Sequence, residues 1–341
     1  MHLAPQKYLK YRFGIGLVLV FAAIYALGPK IEVDTKLKTI SIPADLDRYL
    51  LQSEKKYQDI RPYTQKQILW YDSQKRKTEY AIVYLHGFSA SRQEIVPVCE
   101  IIAQELQANL FYTRLKGHAR TGQALANATT NDWLHDGQEA LLIGEKLGKK
   151  IIVIAVSTGA TLSVWLANHK RLQNKIHAQV LISPNFSPKA NSSAIILQPW
   201  GRELTRLLLG DYRENTTATE TMKKYWTVRY PIEAIFAMMG MVSLVDKIDL
   251  RQMSTPTLIL HSNFDQVISV AKIHKRFQEI GAKVKRRIEV NDAQHKKGHI
   301  IAGDILSPKT NTKVVQHILD FIADREKIST SPRSSHEKNK N

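Results

Sequence analysis

Short apolar runs that alternate with helical stretches are the feature of this sequence that most restricts its fold. The runs, four to six residues long and mostly rich in β-branched side chains, are Tyr80–Leu85, Leu110–Thr113, Ile151–Val156, Ala178–Ile182, Thr257–Leu260 and the weaker Arg286–Val290. Helical patterns cover 94–106, 133–147 and 160–169. Buried strands that alternate with helices form a mainly parallel sheet with right-handed crossovers. The sequence therefore predicts an α/β domain over residues 78–323.

The composition is that of a globular chain with a strongly basic charge. Hydrophobic residues make up 43% of the 341 residues, and 49 Lys and Arg against 31 Asp and Glu give a net charge of +18. Such an excess favours anionic partners. No nucleic-acid-binding motif accompanies it, so we expect no nucleic-acid partner. The single cysteine, Cys99, excludes an intrachain disulfide and a cysteine-built metal site.

Part of the positive charge is concentrated in residues 272–297, where nine Lys or Arg face three acids. Such a surface can steer an anionic substrate or attract anionic lipid. The alternative interpretation is an ordinary solvated face of a helix and a strand.

The first thirty residues predict a membrane anchor. Residues 13–29, FGIGLVLVFAAIYALGP, are uncharged and mostly apolar, at the short edge of what spans a bilayer. Lys7, Lys10 and Arg12 precede them without an acid, which keeps the N-terminus cytoplasmic. We expect an uncleaved single-pass helix in the cell membrane, within a region 1–30, with the remaining chain on the periplasmic or extracytoplasmic side. The alternatives are a cleaved signal peptide and a buried helix.

The other segments are distinguished by composition and spacing. Residues 31–77 form a lead-in, in which 43–57 has helical spacing after Pro43-Ala44-Asp45. Residues 324–341 are rich in Ser, Lys and Asn, which predicts a disordered tail. The gap between the fourth and fifth apolar runs is too long for one crossover. It predicts a small helical cap over about 187–253; the alternative is a second crossover with a surface helix.

The segment around Ser157 predicts a nucleophile. A buried strand runs directly into Ser157-Thr-Gly159 and then into a helical pattern, which is the strand–turn–helix context of the nucleophile elbow G-x-S-x-G. The sharp turn requires small residues at positions −2 and +2, here Ala155 and Gly159. Ala155 replaces the usual Gly but meets the steric requirement. The plain alternative is that Ser157 only caps the helix.

Two backbone amides are candidates for an oxyanion hole. His86-Gly87-Phe88 directly follows the first apolar run. In a hydrolase with a nucleophile elbow, the loop after that strand and the residue after the nucleophile each supply one N–H. The sequence therefore predicts the amides of Phe88 and Thr158.

The acid and the base are expected to follow the serine in the order Asp or Glu, then His. Asp265 comes just after the run at 257–260, and His299 lies on a loop past the weak run at 286–290. His295 is a rival base, but it precedes Lys296-Lys297, whereas apolar residues follow His299. Two rival acids, Asp246 and Asp249, lie ahead of the strand in the predicted cap.

Together these segments resemble the α/β-hydrolase superfamily. They are more closely similar to its bacterial carboxylesterase and monoacylglycerol-lipase branch, grouped with serine aminopeptidase-like hydrolases. The resemblance covers about 78–322 and includes Leu115-Lys-Gly117-His118 followed by Asp132-Trp133, similar to the branch's L-x-GHG…DW segment. Ala119 stands where the branch usually has Gly, and His118 is expected to be structural. The resemblance implies an α/β-hydrolase fold with a covering cap, and hydrolysis of an acyl ester.

The expected activity is that of a serine hydrolase, carboxylesterase- or lipase-like, acting on small-molecule or lipid acyl esters through an acyl-enzyme. Ser157 would be the nucleophile, His299 the base and Asp265 the orienting acid, without a metal or an organic cofactor. The alternatives are an aminopeptidase or acyltransferase on the same triad, or a non-catalytic membrane-tethered binding protein. An aminopeptidase needs an acid for the substrate's α-amine, and five cap acids leave this open: Glu203, Asp211, Glu214, Glu220 and Glu233.

Overall fold

A seven-stranded sheet forms the centre of the protein in this computed structural model, which describes residues 5–190 and 193–330. The strands are β1 Gln67–Leu69, β2 Thr78–Leu85, β3 Asn109–Tyr112, β4 Gly148–Val156, β5 Ile176–Ile182, β6 Tyr212–Glu214, β7 Arg229–Pro231, β8 Thr257–His261 and β9 Lys285–Glu289. The sheet order is β1-β3-β2-β4-β5-β8-β9, and β6 and β7 form a separate antiparallel pair. Every neighbouring pair in the large sheet is parallel except β1 with β3.

All six predicted apolar runs are strands, so the predicted parallel α/β sheet is confirmed. Edge strand β1 was not predicted, because three residues paired antiparallel to β3 are too short to give a pattern. The central strands are buried on both faces: Val83 and Leu85 of β2 face one core, and Ile82 and Tyr84 face the other. This burial explains why their sequences are continuously apolar rather than alternating.

Helices cover both faces of the sheet. The helices of the described residues are α1 Pro5–Ala26, α2 Leu46–Glu54, α3 Val98–Glu105, α4 Gly122–Ala126, α5 Thr130–Leu147, α6 Thr158–Asn168, α7 Ser193–Ile196, α8 Gly201–Leu209, α9 Glu220–Tyr225, α10 Ala234–Asp246, α11 Val270–Glu279 and α12 Asn311–Thr330. The predicted stretch 94–106 is divided: a 3₁₀ turn covers Arg92–Glu94, and α3 begins after Pro97. Proline has no N–H to donate, so it favours the start of a helix over its interior.

The segment between β5 and β8 is where the sequence predicts a cap. It contains α7, α8, α9 and α10 together with the β6–β7 pair, which was not predicted because its residues are largely exposed and polar. Helix α10 packs on α6, and β7 packs on α4. The insert therefore lies against the helix that directly follows Ser157.

The N-terminal region is helical, but the predicted transmembrane helix over 13–29 gains no support from the fold. Helix α1 ends where Trp200 of the insert donates its indole N–H to the Ile24 carbonyl, at 3.0 Å. In the described part of the chain, no helix combines the length and the apolar character needed to cross a membrane.

The C-terminal helix continues past the predicted start of the tail at residue 324. Helix α12 extends to Thr330 because Glu326 ties it to the sheet. The Glu326 carboxylate binds Lys150 of β4 at 3.1 Å and His177 of β5 at 2.6 Å. The predicted boundary is therefore wrong by at least one helical turn, and residues 331–341 of the predicted tail lie outside the described residues.

Candidate active site

Ser157 lies at the junction of β4 and α6 in a strained backbone conformation. Its φ of 51° and ψ of −113° are unusual for a residue with a side chain. The turn is held by the Ser157 N–H, which donates to the Ile182 carbonyl at 2.9 Å. A Cβ atom on Gly159 would lie 2.2 Å from the Leu85 carbonyl oxygen, so this position admits only glycine. Ala155 is fully buried in β4 beside Leu85.

The side chains of Ser157, His299 and Asp265 form one hydrogen-bonded chain. The Ser157 hydroxyl donates to His299 Nε2 at 3.0 Å, and His299 Nδ1–H donates to Asp265 Oδ2 at 2.7 Å. All three side chains are buried, at 6%, 6% and 1% exposure. A serine paired with an imidazole whose other nitrogen is held by a carboxylate is the arrangement that activates the hydroxyl for nucleophilic attack.

Asp265 is fixed by the loop that follows β8. Its Oδ1 atom accepts the N–H groups of Val267 at 2.7 Å and Ile268 at 3.1 Å. The other oxygen, Oδ2, is thereby left to pair with His299. Gly298 precedes the histidine at φ +63°, where a Cβ atom would lie 2.8 Å from the Phe264 carbonyl oxygen. The two loops that carry Asp265 and Gly298-His299 are thus in direct contact.

The predicted oxyanion segments both lie next to Ser157. Thr158 is the first residue of α6, and first-turn N–H groups have no partner within their own helix. His86 joins the loop after β2 to the loop after β3: its Nδ1–H donates to the Gly87 carbonyl at 2.9 Å, and its Nε2 accepts the Leu115 N–H at 3.0 Å. Burial lowers the pKa of His86 to about 4, so this imidazole stays neutral.

Phe88 connects this loop to the inserted segment between β5 and β8. Its ring meets that of Tyr230 in β7 edge to face, with centroids 5.3 Å apart. The next residue, Ser89, accepts the backbone N–H of Thr227 at 2.7 Å. The insert is therefore bonded to the segment that carries the predicted oxyanion amide.

Glu94 is a site residue that the sequence analysis did not identify. Its Oε1 atom accepts the Gly87 N–H at 2.6 Å and the Tyr84 hydroxyl at 2.8 Å, and the residue is 2% exposed. Burial raises the pKa of its carboxyl to about 7. The only signal in the sequence was an acid at the start of an apolar helical stretch.

Two further residues support the site from the end of β5. Ser183 donates its hydroxyl to the His299 carbonyl at 2.7 Å, and the Asn185 N–H donates to the Ser157 carbonyl at 3.2 Å. Ser183 has a φ of 45°. Nothing in the sequence distinguished these residues from an ordinary loop after a strand.

His118 lies in an aromatic cluster, in keeping with the structural role expected of it. It is fully buried, with ring centroids 4.7 Å from His86 and 5.2 Å from Trp133. Burial holds the pKa of His118 well below its usual value. Ala119 has a φ of 57°, which explains why glycine suits that position in the similar branch.

The rival residues have other partners. His295 Nδ1 accepts the Ile300 N–H at 3.0 Å, and its carbonyl accepts the Gly298 N–H at 2.7 Å, so His295 braces the loop around His299. Asp246 pairs with Lys272, at 2.6 Å. Asp249 caps a 3₁₀ turn and pairs with Arg251.

One cluster in the described residues has a donor set that suits a metal ion: His261, His274 and Glu289, whose ligand atoms lie within 4.8 Å of one another. The Arg287 guanidinium already lies among them, with its Nη1 atom 2.9 Å from His261 Nε2, 2.7 Å from His274 Nε2 and 3.1 Å from Glu289 Oε1. These contacts explain the cluster as a hydrogen-bond network around a cation.

Ion pairs partly neutralise the basic segment 272–297. Lys272, Arg276, Arg286 and Arg287 each bind an acid, at distances from 2.5 to 3.1 Å. Lys285 donates to three backbone carbonyls. Of these four acids, Asp246 and Asp324 lie outside the segment, so these two reduce its excess of positive charge.

Comparisons with known proteins identify the family. A family model described as serine aminopeptidase, S33, matches residues 76–297. The thermostable monoacylglycerol lipase of Bacillus sp. (strain H-257) is 23% identical over 217 residues, which cover 63% of this chain and 82% of that protein.

Solved structures share the fold. One comes from a report on two metagenome-derived lipolytic enzymes, LipS and LipT, with a TM-score of 0.64 and 18% identity, covering 78% of this chain and 99% of that chain. A soluble variant of monoglyceride lipase from Saccharomyces cerevisiae has a TM-score of 0.59 at 11% identity, covering 76% and 91%. The chain belongs to the serine aminopeptidase S33 family of α/β-hydrolases and is a serine hydrolase.

Proposed function

We propose that this protein hydrolyses carboxylic acyl esters through Ser157, His299 and Asp265. The observation that carries the proposal is the hydrogen-bonded chain from the Ser157 hydroxyl through His299 to Asp265. The strained turn at Ser157 supports it, because a nucleophile elbow holds its serine in such a conformation. A serine that only capped α6 would accept an N–H of the first turn, and Ser157 makes no side-chain cap bond.

The first half of the reaction forms an acyl-enzyme. His299 Nε2 takes the proton of the Ser157 hydroxyl as its oxygen attacks the ester carbonyl, and Asp265 stabilises the resulting imidazolium. The backbone N–H groups of Phe88 and Thr158 bind the oxyanion of the tetrahedral intermediate, and each such donor is worth roughly 3 kcal/mol. His299 then gives its proton to the leaving alcohol.

Water completes the cycle. His299 takes a proton from a water molecule that attacks the acyl carbonyl, a second tetrahedral oxyanion forms and collapses, and Ser157 regains its proton. The same two amides serve both intermediates.

Monoacylglycerols and related small esters are the proposed substrate class. Two of the similar proteins are a monoacylglycerol lipase and a monoglyceride lipase. The insert contacts Phe88 of the proposed oxyanion loop, and we place the acyl chain of the substrate beside it.

The ion pairs of the insert argue against three of its five acids as the group that would hold the α-amine of an aminopeptidase substrate. An aminopeptidase requires an unpaired acid for the substrate's α-amine. Three of the five acids already have a cation: Glu214 pairs with Arg229, Glu220 with Lys223, and Glu233 with Arg206. Acids that already bind a cation are poorly placed to hold an ammonium group.

The proposal is tested by turnover and by labelling. We expect hydrolysis of monoacylglycerols and p-nitrophenyl esters over an acyl series from C2 to C16, with aminoacyl-amide turnover far lower. A fluorophosphonate probe is expected to modify Ser157, identified by peptide mass. Protein that hydrolyses aminoacyl amides faster than every ester would contradict the ester assignment, and unlabelled, inactive protein would favour a binding protein.

We also propose that residues 13–29 hold the chain at the cell membrane, with the hydrolase domain on the extracytoplasmic side. The support is the uncharged apolar segment and the three basic residues before it, Lys7, Lys10 and Arg12. Recovery in the membrane fraction after carbonate washing, with the domain accessible to protease in spheroplasts, is the expected result. Recovery in the soluble fraction would overturn this proposal.

A further inference from the structure

Glu94 and Ser157 both pack against Gly87. A Cβ atom placed on Gly87 would lie 3.2 Å from Glu94 Oε2 and 3.4 Å from the Ser157 Cβ. Gly87 directly precedes Phe88, whose amide is one of the two proposed oxyanion donors. The carboxyl of Glu94 is therefore one residue away from that donor and packs against the same backbone as the nucleophile.

The bond between Glu94 and Gly87 is short and well shielded from water. Glu94 Oε1 lies 2.6 Å from the Gly87 nitrogen and 2.8 Å from the Tyr84 hydroxyl. Tyr84 lies near the C-terminal end of β2, and Gly87 follows that end by two residues. Glu94 is the last residue of the 3₁₀ turn Arg92–Glu94. Its position therefore joins the turn to the oxyanion loop.

The other side of Glu94 is equally constrained. Gly303 lies so close that a Cβ atom there would be 2.1 Å from the Glu94 carbonyl oxygen, and the Asp304 N–H donates to the Val96 carbonyl at 2.9 Å. The segment that begins at His299 thus packs directly on the turn that carries Glu94. The titratable groups around its carboxyl are Tyr84 of β2, Cys99 of α3 and His299.

We propose that Glu94 is a positioning residue for the oxyanion hole, acting by holding the Gly87 amide so that the Phe88 N–H points at the developing oxyanion. This inference rests on the proposed function of Ser157 and Phe88. Oxyanion donors act only when they are preorganised, so a small rotation of the peptide before Phe88 reduces transition-state binding while leaving ground-state binding nearly intact.

Two variants of similar size separate hydrogen bonding from packing. Glu94→Gln keeps an oxygen that accepts the Gly87 N–H, whereas Glu94→Met fills the space without an acceptor. We expect Glu94→Met to lower kcat about tenfold or more, below the 10²- to 10³-fold cost of deleting a donor outright, with KM changed less than about twofold. Glu94→Gln is expected to stay within about threefold of the parent kcat.

A trifluoromethyl ketone inhibitor provides a second readout. The Ser157 oxygen adds to its carbonyl carbon, the proton passes to His299, and the resulting oxyanion lies in the hole. Glu94→Met is expected to weaken this inhibitor by the same factor as kcat, while a non-electrophilic methyl analogue binds as before. A variant that is merely less well folded would lose affinity for both compounds, not for the electrophilic inhibitor alone. If Glu94→Met does not fold, Glu94→Ala takes its place.

Glu139 offers a matched control. It is buried and accepts a tyrosine hydroxyl, that of Tyr49 at 2.6 Å, but it lies on α5 and pairs with Lys66. Glu139→Gln is expected to keep both kcat and inhibitor affinity even where it lowers stability.

The results separate two failures. Parent protein that neither hydrolyses esters nor is labelled at Ser157 contradicts the proposed function. Active parent protein with a folded Glu94→Met variant of unchanged kcat overturns the positioning role. So does a Glu94→Gln variant as impaired as Glu94→Met, because the charge rather than the acceptor would then matter.

Discussion

The backbone N–H of Thr227 donates to the Ser89 carbonyl at 2.7 Å, which bonds the inserted segment to the loop of the proposed oxyanion hole. Phe88 and Tyr230 make a second contact across the same junction. Any movement of the insert that admits a substrate must therefore either break these contacts or move the loop of Phe88 and Ser89 with the insert. The geometry of Phe88 is linked to the position of the insert.

Tyr230→Ala is expected to weaken this link. Aromatic edge-to-face pairs contribute about 0.5–1.5 kcal/mol beyond their buried area, so we expect a modest loss of stability and a lower kcat. Tyr230→Phe keeps the ring and serves as the control. Thermal unfolding and steady-state kinetics measure the two effects, and equal kcat values in the alanine and phenylalanine variants would show that Phe88 is positioned without Tyr230.

Gly159→Ala is expected to disrupt the nucleophile turn. Its methyl group would lie 2.2 Å from the Leu85 carbonyl oxygen and 2.6 Å from that of His86, both backbone atoms. Overpacking of this kind costs about 1–3 kcal/mol, and the shift displaces Ser157. Urea unfolding and ester turnover should both show the damage. A fully stable and active Gly159→Ala protein would mean that the turn adapts to the methyl group without cost. Gly240→Ala is the control, because Gly240 is a tightly packed position of α10 away from the triad.

The pH dependence of stability reports on Glu94. Its carboxyl has a folded-state pKa of about 7 against an ordinary value of 4.5, because burial disfavours the charge. A raised folded-state pKa means that this contribution to stability is complete below about pH 4.5 and is lost as the pH rises to about 7. The parent protein should lose about 3 kcal/mol relative to Glu94→Gln between pH 4.5 and 8.

Urea unfolding of both proteins at several pH values measures this difference. Glu105→Gln, at an exposed position of α3, is expected to follow the parent throughout. A constant difference between the parent and Glu94→Gln would show that the carboxyl does not change its charge over this range.

Asp265→Asn tests the orienting acid. The amide keeps the size of the side chain but no longer stabilises the imidazolium or selects its tautomer. In an analogous triad the same change lowers kcat by about 10⁴, and we expect a loss of about 10³- to 10⁴-fold here. Asp246→Asn, a rival acid paired with Lys272, should retain the parent rate. Equal losses in the two variants would remove the distinction between these acids.

The fold was predictable where burial produces a recognisable pattern of apolar residues in the local sequence. Strands such as β4 are buried on both faces, so their apolar runs are visible in the sequence. Edge strand β1 and the β6–β7 pair have too few residues and too little burial to give such a pattern. The extension of α12 depends on contacts of Glu326 with Lys150 and His177. These residues are 176 and 149 positions away in the sequence, so no local pattern reveals the contacts.

The same distinction applies to the site. Ser157, Asp265 and His299 were predicted to lie together because each follows a recognisable strand, and the carboxyl ends of parallel strands meet at one edge. Glu94 lies on a short turn whose contact with Gly87 exists only in the folded protein. The supporting bonds of Ser183 and Asn185 go to backbone carbonyls, which no side-chain pattern reveals.

The most direct test of the account is the rate at which Ser157→Ala hydrolyses p-nitrophenyl butyrate, compared with the parent protein and with His295→Gln. We expect a loss of at least about 10³-fold in kcat for Ser157→Ala with unchanged thermal unfolding, and a far smaller loss for His295→Gln. Turnover by Ser157→Ala at the parent rate would contradict it.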